Sequence, residues 1–174
     1  KGALAELRVE LASGGEEVFL RIDESNPLIN PDTQASLRQA IEVAKKVSGV
    51  SLRNRNLYYS IESTSDFIAG KSAGAAIAVA TIALLRNELL KKDVLITGTV
   101  EENGEIGQVG KILEKALAAK QAGFTTILVP RGEKFQRVPN QVCREQRTGN
   151  AIIQECQTVF KEVDVSKEAG VNVI

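Results

Sequence analysis

The sequence predicts a mixed α/β fold, and two observations predict it. Strand-type segments alternate with helix-type segments along most of the chain, the pattern of layered α/β domains. Two alternating segments around Ser13-Gly14-Gly15 read as an N-terminal β-hairpin.

The elements follow in order. Leu4 to Leu11 (LAELRVEL) alternates as a strand, and Glu17 to Ile22 (EVFLRI) returns from the turn. Asn26 to Asp32 carries Pro27 and Pro31 and reads as a loop. Asp32 or Thr33 then caps a helix to about Val47, with Ala35, Leu37, Ala40, Ile41 and Ala44 as its apolar positions and Gly49 as its end. Asn56 to Glu62 (NLYYSIE) is a third strand, and Ser63 to Gly70 is a mostly polar loop. Ser72 to about Leu90 is a helix rich in small residues and apolar on nearly all sides, so it is expected at the centre of the fold. Arg86, Asn87 and Glu88 interrupt its apolar run, which is too short and too Ala-rich to cross a membrane.

Asp93 to Val100 (DVLITGTV) is the next strand. Glu101-Glu102-Asn103-Gly104 makes a hairpin turn on its Asn-Gly pair, and Glu105 to Val109 leads out. Gly110 to about Ala122 is a helix with Gly123 as its C-cap. Thr125 to Val129 is a buried strand stopped by Pro130. Beyond Arg131, Asn150 to Val159 reads as helical, and Val171 to Ile174 as a strand cut off at its start. No internal repeat or linker appears. Residues 1–174 therefore read as a single domain, with the motifs in 64–130 and a truncated C-terminal extension at 131–174.

Composition narrows the chemistry. Lys plus Arg and Asp plus Glu number 22 each, which leaves no electrostatic footprint for nucleic acid or anionic lipid. The chain has no histidine, which removes every Ser-His-Asp or Cys-His mechanism and every histidine metal site. Its two cysteines, Cys143 and Cys156, are too few for a zinc centre; one disulfide or two buried thiols fit equally. There is no methionine, as expected of a processed or excised chain, and any targeting or anchoring segment would lie outside it.

The segment Gly70-Lys71-Ser72-Ala73-Gly74 joins a loop to a helix start. Unpaired N–H groups and the helix dipole favour negative charge there, so an oxyanion beside Ser72 would be held by backbone donors. Without histidine the remaining base is a lysine, which must be neutral to accept a proton. Lys115 fits: its helical neighbours are Ile112, Ala118, Ala119 and one like charge, Lys111. Taken singly, a serine at a helix start is more often a cap, and a lysine in an Ala-rich helix more often reaches water.

The combination is more specific. Ser72-Ala73-Gly74, Thr97-Gly98, Gly110, Glu114-Lys115, Ala118-Ala119 and Ala122-Gly123 together resemble the proteolytic domain of Lon-type serine proteases. "DTQASLRQA", "DFIAG" and "VDVSKEAGVNVI" extend the resemblance to stand-alone archaeal Lon-like proteases. The resemblance implies a Lon proteolytic-domain-like fold and a Ser-Lys dyad of Ser72 and Lys115, with Thr97 orienting the lysine. It also implies an oxyanion site from the backbone of Ser72 and the Asp66–Lys71 loop, including Gly70. It implies no cofactor and no metal, an unfolded polypeptide as substrate, and assembly into a homo-oligomeric ring. For the archaeal branch it implies an extracytoplasmic or membrane-associated place, with any tether outside this chain; a cytoplasmic one stays open.

Two positions depart from the family pattern. Lys71 stands where the family has proline or an acidic residue, and as a cation it is expected to lower the pKa of Lys115. Asp66 is then the nearest upstream acid. Lys111 replaces a glycine. These departures keep a second reading open, a weak or inactive binding or assembly module of the same fold. A third is a phosphate-binding loop, since Gly70-Lys71-Ser72 matches the tail of that motif. The motif needs glycine at position 65, which is Ser65, and neither DVLIT nor TILVP ends in an aspartate for magnesium.

Overall fold

A computed structural model of the chain describes residues 2, 4–21, 28–63, 67–68, 70–148 and 151–174. The N-terminal part contains β1 (Ala5–Ser13), β2 (Val18–Leu20), β3 (Leu28–Ile29), α1 (Pro31–Ser48), β4 (Arg55–Ser63), β5 (Phe67–Ile68) and α2 (Gly74–Arg86). The C-terminal part contains β6 (Val94–Ile96), β7 (Thr99–Val100), β8 (Ile106–Gly107), α3 (Ile112–Gln121), β9 (Thr126–Leu128), β10 (Phe135–Thr148), β11 (Ala151–Asp164), α4 (Val165–Ala169) and β12 (Asn172–Val173). The mixture of helices and strands is the α/β class that the alternation predicts.

The expected N-terminal hairpin does not form. β4 lies between β1 and β2, antiparallel to the first and parallel to the second. The reason is burial: β4 points Leu57, Tyr59 and Ile61 inward, whereas no described side chain of β1 or β2 is fully buried. The most apolar strand takes the centre. Gly14 N–H donates to Asn54 O (3.0 Å) and Glu17 N–H to Asn56 Oδ1 (3.0 Å), so the Ser13-Gly14-Gly15 turn wraps around the start of β4.

α1 begins earlier than expected. Asn30, not Asp32 or Thr33, is its cap: Asn30 Oδ1 accepts from Thr33 N–H (2.9 Å), and Pro31 takes the first turn, where a missing N–H costs nothing. Gly49 closes the helix in the left-handed region, as predicted. α2 is the buried centre the sequence implies. Ala75, Ile77 and Thr81 are fully enclosed, and the Tyr59 hydroxyl meets Thr81 Oγ1 at 2.7 Å. It is shorter than predicted, because Asn87 adopts φ 54° and ends it, leaving Leu89 and Leu90 exposed. Among the described residues no helix is long and apolar enough to cross a membrane.

β12, β9 and β6 form a parallel sheet in that order, with α3 and α4 packed on it through Ile112, Ala116, Val165 and Ala169. The stretch predicted as one strand, Asp93 to Val100, is broken at Thr97-Gly98 into β6 and β7. The Asn103-Gly104 turn joins β7 to β8, as predicted.

Of the helix expected at Asn150 to Val159, the described residues, from Ala151 on, form a strand. Within the described residues, β11 pairs antiparallel with β10 from Phe135↔Asp164 to Thr148↔Ala151. Its apolar residues, Ile152, Ile153, Val159, Phe160 and Val163, fall at near-helical intervals, and only the partner strand decides between the two periods. The register sets Cys143 opposite Cys156, and they are bridged. This ribbon, about 45 Å long, is exposed along most of its length, with Phe135, Ile152 and Phe160 open to solvent. A two-stranded ribbon is marginal by itself, so the bridge is its main constraint. Cys143→Ser with Cys156→Ser is expected to speed amide exchange in 135–164 by about 100-fold, the equivalent of about 3 kcal/mol for a loop of this size. Protection in β6 and β9 should stay as it was, as hydrogen exchange read by mass spectrometry can check.

Candidate active site

Ser72 lies in the turn between Gly70 and α2, two residues ahead of the helix rather than on it. Its carbonyl is held twice, by Gly98 N–H (3.0 Å) and by the Thr97 hydroxyl (3.2 Å). Ala75 N–H returns to Gly98 O (3.0 Å), so the break between β6 and β7 is what clasps the start of α2. Side chains would prevent this approach. A Cβ on Gly74 would lie 2.8 Å from Ser36 Oγ, and one on Gly98 would lie 2.4 Å from Ile106 Cγ2.

The two residues before Ser72 are tied to α1. Gly70 O accepts from Thr33 Oγ1 (3.0 Å), whose hydrogen is shared with Asn30 Oδ1 (2.9 Å). Lys71 O accepts from Ser36 Oγ (3.1 Å) and from Gly74 N–H (3.1 Å).

Lys115 sits in the first turn of α3. That helix start has no side-chain cap of its own: Lys111 adopts φ 61°, and Gln136 Oε1 accepts from Leu113 N–H (2.8 Å). Lys115 Nζ donates to Thr97 Oγ1 at 3.1 Å. One hydroxyl therefore accepts from the lysine and donates to the serine's carbonyl. No direct hydrogen bond joins Ser72 to Lys115 among the described residues; such contacts commonly close only when substrate binds.

Burial holds the pKa of Lys115 below the ordinary lysine value, opposed by the carboxylates of Glu133 and Glu114. The expectation that Lys71 lowers it is not met: among the described residues burial is what lowers it, and Lys71 is exposed. Asp66 lies outside the described residues; among the described residues the acids that act on Lys115 are Glu133, whose carboxylate also accepts from Val109 N–H (3.2 Å and 3.3 Å), and Glu114. Glu114 Oε2 is buried without a hydrogen-bond partner among the described residues.

The structure thus joins Ser72, Thr97 and Lys115, and links Gly70 and Lys71 to α1. Sequence reasoning missed Ser36 and Glu133 and took Thr33 only as a cap. A signal for the first existed: Thr33 and Ser36 are polar, three residues apart, on the face that also carries Leu37, Ala40 and Ala44. Glu133 had none, because its approach depends on how the loop after β9 folds back.

The family model described as the Lon protease (S16) C-terminal proteolytic domain matches residues 62–165. A Lon protease of Dictyoglomus thermophilum is 38% identical over 78 residues, 44% of this chain and 10% of that protein. An archaeal Lon protease of Methanocaldococcus jannaschii is 35% identical over 81 residues, 47% of this chain and 12% of that protein. A Lon protease 1 of Herpetosiphon aurantiacus is 43% identical over 61 residues, 35% of this chain and 8% of that protein. The matched part is thus about a tenth of the length of these relatives.

Proposed function

The chain belongs to the family of Lon protease (S16) C-terminal proteolytic domains, and we propose on that footing that it is a serine endopeptidase working through Ser72 and Lys115. The observation that carries this reading is the Thr97 hydroxyl between the two, accepting from Lys115 Nζ and donating to the Ser72 carbonyl. It links a half-buried amine of lowered pKa to the backbone of a serine that precedes a helix.

In this mechanism neutral Lys115 takes the Ser72 hydroxyl proton as Oγ bonds to the scissile carbonyl carbon. The tetrahedral oxyanion is stabilised by backbone N–H groups of the turn. Lys115 then gives its proton to the leaving nitrogen, the C–N bond breaks, and an ester to Ser72 remains. Water, deprotonated by the same lysine, attacks the ester; the bond to Ser72 Oγ breaks, Lys115 returns the proton to that oxygen, and the acid is released. Thr97 keeps the ammonium pointed at Ser72 between these steps. The reaction needs no nucleotide, metal or cofactor from this chain. The substrate is unfolded polypeptide, and the protein works as a homo-oligomer.

A biotinylated fluorophosphonate tests the reading. It should attach to Ser72, as peptide mapping would show, and the protein should digest casein without ATP. Labelling elsewhere, or none, would mean that the fold serves binding or assembly instead.

A further inference from the structure

We propose that Thr33 and Ser36 of α1 are positioning residues that build the oxyanion site by turning the peptide planes ahead of Ser72; this rests on the protease reading above. The argument starts from planarity. In a trans peptide the C=O of one residue and the N–H of the next point in opposite directions, and no cis bond occurs among the described residues. Thr33 Oγ1 draws Gly70 O, and Ser36 Oγ draws Lys71 O, towards α1. The N–H groups of Lys71 and Ser72 must therefore face away from α1. Neither donates to a described residue.

Two consecutive N–H groups aimed to one side form a concavity suited to an anion, and Ser72 Oγ is carried on the second of them. Holding comes from the other side. Thr33 is 1% and Ser36 6% exposed, on a helix packed against α2. A buried hydroxyl must find an acceptor: Ser36 uses Lys71 O, and Thr33 uses Gly70 O together with Asn30 Oδ1. The Ser72 carbonyl is fixed independently by Gly98 and Thr97. Three carbonyls in a row are thus pinned while the intervening donors meet no described acceptor, which is preorganisation for charge that develops only in the transition state.

The test compares Ser36→Ala, Thr33→Val and Thr33→Ser with the parent, using a peptide ester, a peptide boronate and 15N relaxation of the Lys71 and Ser72 amides. Ser36→Ala and Thr33→Val should each lower kcat by about 10- to 100-fold, a fraction of what a lost oxyanion donor costs. KM and the pH midpoint of kcat should stay close to the parent's. Boronate affinity should fall with kcat, the amide order parameters should drop, and Thr33→Ser should behave as the parent does. Unchanged kcat, or a rise in KM alone, overturns the proposal. A parent inert to the ester and unlabelled at Ser72 overturns the protease reading instead. The amide order parameters then decide the positioning by themselves: loosening in the two variants sustains it, and unchanged values overturn it.

Discussion

Lys115→Met should lower casein or peptide-ester hydrolysis by about 10⁴-fold or more, as should Ser72→Ala, because in the proposed mechanism the two act as a unit of base and nucleophile. The lysine variant carries a second signature that a merely damaged protein would not show. Burial holds the parent's Lys115 pKa below its unfolded value. Below the folded pKa the lysine is charged in both states, and the full cost of burying that charge is present. Between the folded and unfolded values the unfolded chain binds more protons, so stability rises with pH and the cost fades. Lys115→Met should therefore be more stable than the parent in urea at neutral pH, with the gain shrinking towards the ordinary lysine pKa. The parent's kcat should rise as Lys115 deprotonates and level off below that pKa. Glu133→Gln removes a charge that raises the Lys115 pKa, so it should move this midpoint to lower pH. A midpoint that stays where it was would show that another group limits the rate.

Leu57→Ala should cost about 3 kcal/mol in urea unfolding, the range for emptying a closed core site. Leu57 has no exposed surface, and β4 carries it between two neighbouring strands, so little can collapse into the space. Tyr59→Phe in the same strand should cost about 1 kcal/mol, since Thr81 Oγ1 keeps its bond to Ile77 O (2.7 Å) when the phenol is gone. Burial pushes the Tyr59 pKa up to about 12, so its ionisation stays clear of a pH profile taken for Lys115. Loss of stability confined to β1 would show that the sheet is not the core its burial implies.

Local chemistry made much of this legible in the sequence. The absence of histidine removed every histidine mechanism, and the resemblance to the Lon proteolytic domain pointed to Ser72, Thr97 and Lys115. The Gly49 cap, the apolar α2 and the Asn103-Gly104 turn each rest on preferences of a few adjacent residues. The failures share a cause. Pairing β4 between β1 and β2 depends on which strand is most apolar among three distant segments. Reading β11 as a helix followed from near-helical spacing that its partner β10 overrides. The bridge between Cys143 and Cys156 depended on the register of that same ribbon.

By itself the sequence determined the α/β class and the buried helix that follows Ser72, and its resemblance to one family singled out the serine, the threonine and the lysine. The class and the helix follow from composition and periodicity that act within one turn or one strand. Only the tertiary structure decided how those residues meet. The break at Thr97-Gly98 clasps Ser72, α1 supplies Ser36 to Lys71, and Glu133 comes round to oppose the burial of Lys115. Each is a contact between segments far apart in the chain. Its energy depends on which surfaces are excluded from water together, and no local pattern records that.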